Sequence, residues 1–244
     1  MAKATKPKTS LTAKAFVERL KALQSDAELK KIQRYFKSGV GEYGAGDKFM
    51  GVKMGNLFAL AKEFAGMPVK ELEKLLESPI HEVRAGAISI MDKESRNKKI
   101  EANRLEEMYK LYMRRLDRVN NWDLVDLGCL YMTGSYLFNR SHAVLYKLAR
   151  SKNIWERRTA ILSTCYFIRQ RDVTDTFKIA ELLVNDKEDL IHKATGWMLR
   201  EIGKKSRDVE EQFLARHFKQ MPRTMLRYAI EKFPQKLRQT YLSK

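Results

Sequence analysis

The sequence predicts an all-α protein built as a HEAT-like helical-repeat solenoid, an α-α superhelix with a concave basic cleft. Three observations predict it. Apolar residues recur at three- and four-residue spacing along most of the chain. Proline stands only in the first residues or beside plausible helix starts and breaks. A basic residue that opens an apolar helix returns at regular intervals. No segment shows the sustained β-branched alternation that a strand needs.

Residues 1–10, MAKATKPKTS, carry Lys3, Lys6 and Lys8, no acid and almost no apolar bulk. They read as a flexible basic tail, and 11–244 as one repeat domain. Helices are predicted over 11–24 and 27–37. In the loop that follows, Gly39, Gly41 and Gly44 spell GxGxxG, but no strand precedes them and no βαβ unit follows. Gly44 and Gly46 are therefore read as supplying unusual backbone angles in a turn, not a phosphate cradle. Leu57, Leu60, Ala61 and Phe64 mark a helix over 50–65, and Pro68 and Pro79 open helices over 68–77 and 79–92. Leu105, Met108, Tyr112 and Leu116 mark one over 98–117. The same period continues through 122–138, 140–150, 153–169, 173–185, 189–204 and 206–219. Pro222 and Pro234 stand beside the starts of 221–232 and 234–242.

Aligning Arg84 in VRAGAISIM, Arg158 in RRTAILSTC, Lys193 in HKATGWMLR and Arg227 in LRYAIEKF gives intervals of 74, 35 and 34 residues. The first divides into two steps of 37, with NWDLVDLG near the middle. A period of about 35 to 40 residues holding two helices is the mark of a helical solenoid of the HEAT type, whose stacked pairs build a concave face.

The chain has 244 residues with 48 Lys+Arg against 30 Asp+Glu, a formal net charge of +18. Such a field attracts polyanions, because each neutralised phosphate releases a condensed counterion. Nucleic acid is the first partner to consider, and double-stranded DNA fits a concave groove. Residues 219–244 add seven basic residues and one acid, with Lys219, Arg223 and Arg227 at four-residue intervals.

Other classes are disfavoured. No stretch approaches the roughly 18 apolar residues that cross a bilayer, and no apolar core of a secretory signal is present, so an intracellular, cytoplasmic protein is expected. Cys129 and Cys165 are isolated and read as reduced core residues. The four histidines are scattered and HEVRA lacks the second histidine of a zinc helix, so no metal and no cofactor is expected. Neither a Walker loop nor a GxSxG elbow occurs.

The three tryptophans each have a charged neighbour one helical turn away: Trp122 with Asp126, Trp155 with Arg158, and Trp197 with Lys193. Any one reads as core packing, but three in successive repeats of a basic chain point to one shared surface.

These residues carry a resemblance. NNWDLVDLG at 120–128, NIWERRTAIL at 153–162 and HKATGWMLRE at 192–201 resemble the signature helices of the AlkD-like DNA alkylation repair family, and KFMGVKMGNLFALAKEF at 48–64 extends the likeness. The resemblance implies a helical solenoid that removes cationic 3-methyladenine and 7-methylguanine from duplex DNA, a monofunctional glycosylase of base excision repair. It places the essential carboxylate at Asp126, its companion aromatic at Trp122, a second cleft aromatic at Trp197 and the essential arginine at Arg158, which is expected to bind the phosphate backbone at the lesion. Tyr35 is the candidate for a further aromatic, with Tyr43 in the same glycine-rich stretch as the alternative. Arg157 and Lys193 are further candidates for phosphate contact.

The chemistry suits these residue types. Alkylation at a ring nitrogen puts positive charge on the purine, and breaking the glycosidic bond develops oxocarbenium-like charge on the sugar. An ionised carboxylate stabilises that charge and can orient water, and an ordinary Asp pKa of about 3.9 keeps it ionised. The cationic base leaves without a strong general acid. Indole faces attract cationic groups by about 0.5–2 kcal/mol each. A solenoid exposing its whole groove needs no second subunit, so a monomer is expected. The competing expectation is a non-catalytic helical-repeat module for nucleic acid or an acidic protein, in which Asp126 is only a structural ion pair.

Overall fold

The computed structural model describes residues 10–37, 39 and 41–243. The tail lysines Lys3, Lys6 and Lys8 lie outside the described residues. The described residues form helices joined by loops, with no strand among them beyond one isolated bridge between Lys48 and Ile80. No helix among them is long and apolar enough to cross a membrane. They cluster into two compact units that divide between Leu124 and Val125.

The first unit holds α1 (Ala13–Lys21), α2 (Asp26–Tyr35), α3 (Met54–Glu63), α4 (Val69–Leu76), α5 (His81–Ser95) and α6 (Ala102–Arg114), then a 3-10 turn over Leu116–Arg118 and the start of α7 (Trp122–Gly128). Local chemistry sets these starts. The Thr12 hydroxyl accepts from the Ala15 amide and Ser25 from the Glu28 amide. Pro68 stands at the cap of α4, where its missing N–H costs nothing. α5 packs against α3 and α4, and α1 against both of them. α5 is consequently buried on almost every side, and with its Ala, Ile and Val residues it buries His81, Glu82, Arg84 and Asp92, the first three with partners from other segments.

Several predicted starts move, among them those at 98 and 140, which become Ala102 and Ala143, and two of the moves have a long-range reason. The helix expected from residue 50 begins at Met54, because the buried Glu82 carboxylate accepts from the amides of Met50, Gly51 and Val52 at 2.8–3.3 Å and holds them out of helical register. The helix expected from residue 79 begins at His81, whose amide donates to the Lys48 carbonyl at 2.8 Å. In the glycine-rich loop, positive φ falls on Gly41 and Gly46. Gly44 serves instead by its lack of a side chain, since a Cβ there would stand 2.5 Å from the Phe36 carbonyl oxygen.

The second unit contains the rest of α7, a π-helical segment Cys129–Thr133, α8 (Gly134–Leu137), α9 (Ala143–Ala149), α10 (Ile154–Arg169), α11 (Thr174–Leu183), α12 (Asp189–Gly203), α13 (Arg207–His217), α14 (Arg223–Ala229) with a 3-10 turn over Ile230–Lys232, and α15 (Gln235–Leu242). α10, α12 and α14 pack on one another in succession. α9 and α11 cover α10, and α11 and α13 cover α12, so the unit is a stack of helical pairs. The core runs through Leu145, Ile161, Leu162, Phe167, Ile179, Ile191, Met198, Phe213 and Met225, and both Cys129 and Cys165 are buried free thiols within it.

Candidate active site

The segment NNWDLVD is anchored at its first residues. The Asn121 side-chain oxygen accepts from the Trp122 amide at 2.9 Å and starts α7, while its amide nitrogen donates to Asp47 Oδ2 at 3.1 Å. α7 ends in the π-helical turn, where the Thr133 hydroxyl donates to the Gly128 carbonyl at 2.9 Å. Single π turns are recurrent at functional sites, because the extra residue re-aims the side chains around it. Asp126 follows Trp122 by one turn of α7.

In the first unit, Trp122 is half-buried and stacks on Phe36, with ring centroids 5.6 Å apart and planes inclined by 25°. Tyr35 meets the same indole edge-on at 5.8 Å and is 64% exposed, so an aromatic face is held open to solvent. Tyr35 thus joins Trp122. Tyr43 reaches this region through its hydroxyl, which donates to the Tyr35 carbonyl at 3.5 Å. Lys30, Lys31, Arg34 and Tyr35 line a groove of about 490 Å³. Sequence reading passed over this basic face of α2, although the four-residue spacing of Lys30 and Arg34 beside Tyr35 marks it.

A buried polar cluster lies behind Trp122. Asp47 accepts from Arg84 Nη2 at 2.7 Å, from Asn120 at 2.8 Å and from Asn121, and His81 Nδ1 stands 3.5 Å from it. His81 Nε2 meets Asp123 Oδ2 at 2.8 Å. Burial alone would raise the Asp47 pKa, but the facing His81 ring, hydrogen bonds from Asn120 and Asn121 and the Arg84 charge hold it well below the carboxylate range. Burial alone would lower the His81 pKa, but Asp123 and Asp47 outweigh it and raise it to about 9. The ring is therefore an imidazolium at neutral pH. Nothing in the spacing of HEVRA announces this cluster, because its partners come from 34 residues upstream and 42 downstream.

In the second unit, Asp126 and Arg158 form a two-point ion pair: Nε to Oδ1 at 2.9 Å and Nη2 to Oδ2 at 3.1 Å. The third corner of the guanidinium, Nη1, donates to the Leu190 carbonyl at 2.7 Å. Arg158 is 5% exposed, whereas the Asp126 side chain keeps 19% of its surface in solvent, so the carboxylate is the outward partner. Arg158, expected to hold phosphate, has its fork filled by Asp126 and α12. Trp197 lies two turns beyond Leu190 on that same helix face, half-buried, with its indole N–H donating to Glu201 at 2.9 Å.

The remaining candidates have other partners or lie in the core. Arg157 is spent on the fold, bonding Asp186 through Nε at 2.6 Å and the carbonyls of Ser151 and Lys152 through Nη1. Lys193 pairs with Asp189 at 2.7 Å and stays partly exposed. Trp155 is 8% exposed and belongs to the core.

The described residues contain no cluster of His, Cys, Asp or Glu that could hold a metal ion. The family model of the DNA alkylation repair enzyme matches residues 16–233. Among solved structures, one described as a predicted DNA alkylation repair enzyme from Enterococcus faecalis superposes with a TM-score of 0.67 at 19% identity, over 87% of this chain and 97% of that one. No curated protein matches.

Proposed function

The chain belongs to the DNA alkylation repair enzyme family, with a role in the repair of alkylated DNA, and from that premise we propose that it is a monofunctional glycosylase hydrolysing the N-glycosidic bond of cationic 3-methyladenine and 7-methylguanine in duplex DNA. The observation that carries this reading is the Asp126–Arg158 pair: a carboxylate with its outer edge in solvent, fixed at two points by a buried arginine.

In this reading Asp126 faces the deoxyribose and stabilises the positive charge that develops as the bond to the base lengthens. Fixed charges aimed at a developing ion need no reorganisation during reaction, which is why such groups contribute several kcal/mol. Arg158 holds Asp126 in place; its three anchored nitrogens leave phosphate binding to other cations. In the second unit Trp197, and in the first Trp122 with Tyr35 beside it, are each an electron-rich face suited to a cationic group. Lys30, Lys31 and Arg34 take backbone phosphates, with Lys193 as a further surface cation. One chain is the acting unit.

The same ion pair also favours a second reading, a non-catalytic nucleic-acid-binding module in which Asp126 serves only to neutralise buried Arg158. Incubation of the chain with methylated duplex, with mass spectrometry of the small-molecule fraction, separates the two. Free 7-methylguanine and 3-methyladenine are expected; binding without any released base refutes the glycosylase.

A further inference from the structure

We propose that His81 is a positioning residue for Trp122, tying the start of α7 to α5 through Asp123 and supporting the Phe36 ring on which Trp122 stacks. The proposal rests on the glycosylase reading only for its consequence in rate; the positioning itself stands on geometry within the first unit.

Two independent paths lead from His81 to Trp122. The first is polar: Nε2 bonds Asp123 Oδ2 at 2.8 Å, and Asp123 is the residue after Trp122 on α7. The second is aromatic: the His81 ring lies 4.8 Å from Phe36 and 5.1 Å from Phe49, these two stack on each other at 5.4 Å, and Phe36 in turn stacks on Trp122. His81 is fully buried and opens α5, which is packed between α3 and α4, so neither path has slack.

The ring carries out this task as a cation. From the loop before α3 it faces Asp47, and from α7 it faces Asp123. Arg84, on its own helix, pairs with Asp47 and has Arg118 nearby. While His81 is protonated each ring nitrogen turns an N–H towards a carboxylate, Nδ1 towards Asp47 and Nε2 towards Asp123. Deprotonation turns a ring lone pair towards one of these two carboxylates in a buried site, which costs free energy unless the cluster opens. Opening it releases Asp123 and Phe36 together, and with them the pitch of the Trp122 indole.

The test uses the full chain labelled with 5-fluorotryptophan, the Trp122 resonance being assigned by Trp122→Phe. On titration from pH 6 to 10 the Trp122 fluorine signal is expected to shift with a midpoint near pH 9, while those of Trp155 and Trp197 stay in place. The rate of base release at saturating DNA, corrected for spontaneous loss, is expected to fall about tenfold through the same midpoint with KM within about twofold. Asp123→Asn should move the midpoint towards neutrality, and His81→Gln should abolish it and give the low rate at every pH. A Trp122 signal flat from pH 6 to 10 overturns the proposal, as does a wild-type rate for both variants. Should His81→Gln not fold, the wild-type titration and Asp123→Asn decide the matter. A chain that releases no base at any pH refutes the glycosylase reading, and the fluorine titration alone then upholds or overturns the positioning role.

Discussion

Replacing Arg158 by lysine separates its two roles, holding Asp126 or holding phosphate, because a lysine keeps the charge and loses the fork. Arg158 makes two bonds to Asp126 and one to the Leu190 carbonyl. A single ammonium on a shorter reach keeps one of the three. Hydrogen bonds that involve a charged group contribute about 1.5–3 kcal/mol each. Water partly replaces them at Asp126, whose side chain is 19% exposed, but not around an arginine that is 5% exposed. The net loss is about 2–3 kcal/mol, or about 5–10 °C in Tm for a chain of this length. Freed from its second anchor, Asp126 samples orientations away from the sugar, and base release should fall by about 10- to 100-fold. Affinity for DNA should stay within about twofold and the salt dependence of binding should not change. The assay is single-turnover release of 7-methylguanine alongside a salt titration of binding by fluorescence anisotropy. An unchanged release rate, with affinity for methylated and plain duplex weakened alike by loss of the fork, would refute the holding role and return Arg158 to the backbone.

Three further outcomes follow from the geometry. Lys30→Ala, Lys31→Ala and Arg34→Ala combined should lower the salt slope by about 2 to 3 and weaken binding to methylated and plain duplex alike; an unchanged slope removes the α2 groove from the interface. Gly196→Ala puts a Cβ 2.4 Å from the Met225 carbonyl and 2.6 Å from Tyr228 Cβ where α12 meets α14. Forcing these helices apart should cost about 2 kcal/mol, read as a lower midpoint in urea, and a midpoint at or above the wild type would show that the contact relaxes freely. Glu210 is buried, and its pKa is raised to about 8, first by desolvation and then by Glu211. An acid whose folded pKa exceeds its unfolded one adds stability that is complete below about pH 4.5 and is lost as pH rises through about 8. The Tm of Glu210→Gln should therefore gain on the wild type by several degrees between pH 5 and 9, and a difference independent of pH would contradict the assignment.

Much of the helical frame was readable because it follows from local chemistry. Pro68, Pro222 and Pro234 cap helices where a missing N–H is harmless, and the 3.6-residue period of Leu57, Leu60, Ala61 and Phe64 emerges as the buried face of α3. The expectations that failed depended on partners distant in sequence. Residues 50–53 carry a helical pattern, yet the Glu82 carboxylate captures the amides of Met50, Gly51 and Val52. Gly44 reads as a turn glycine, and only its approach to the Phe36 carbonyl shows why it has no side chain. For the site, the residue types at 122, 126, 158 and 197 stand out in the chain, but their pairings do not. That Arg158 would turn its fork to Asp126, or that Arg157 beside it would be spent on Asp186, depends on which helices stack. His81 is the clearest such case: a lone histidine in HEVRA has no local partner, and only the fold brings Asp47, Asp123, Phe36 and Phe49 around it.

The ionised edge of Asp126 is the centre of the account, and Asp126→Asn tests it with little change of shape. Single-turnover release of 7-methylguanine from a methylated duplex should slow by about 100- to 1,000-fold, the range seen when one preorganised electrostatic group is removed, while the Kd for the same duplex changes by no more than about threefold. Release at the wild-type rate would contradict the account.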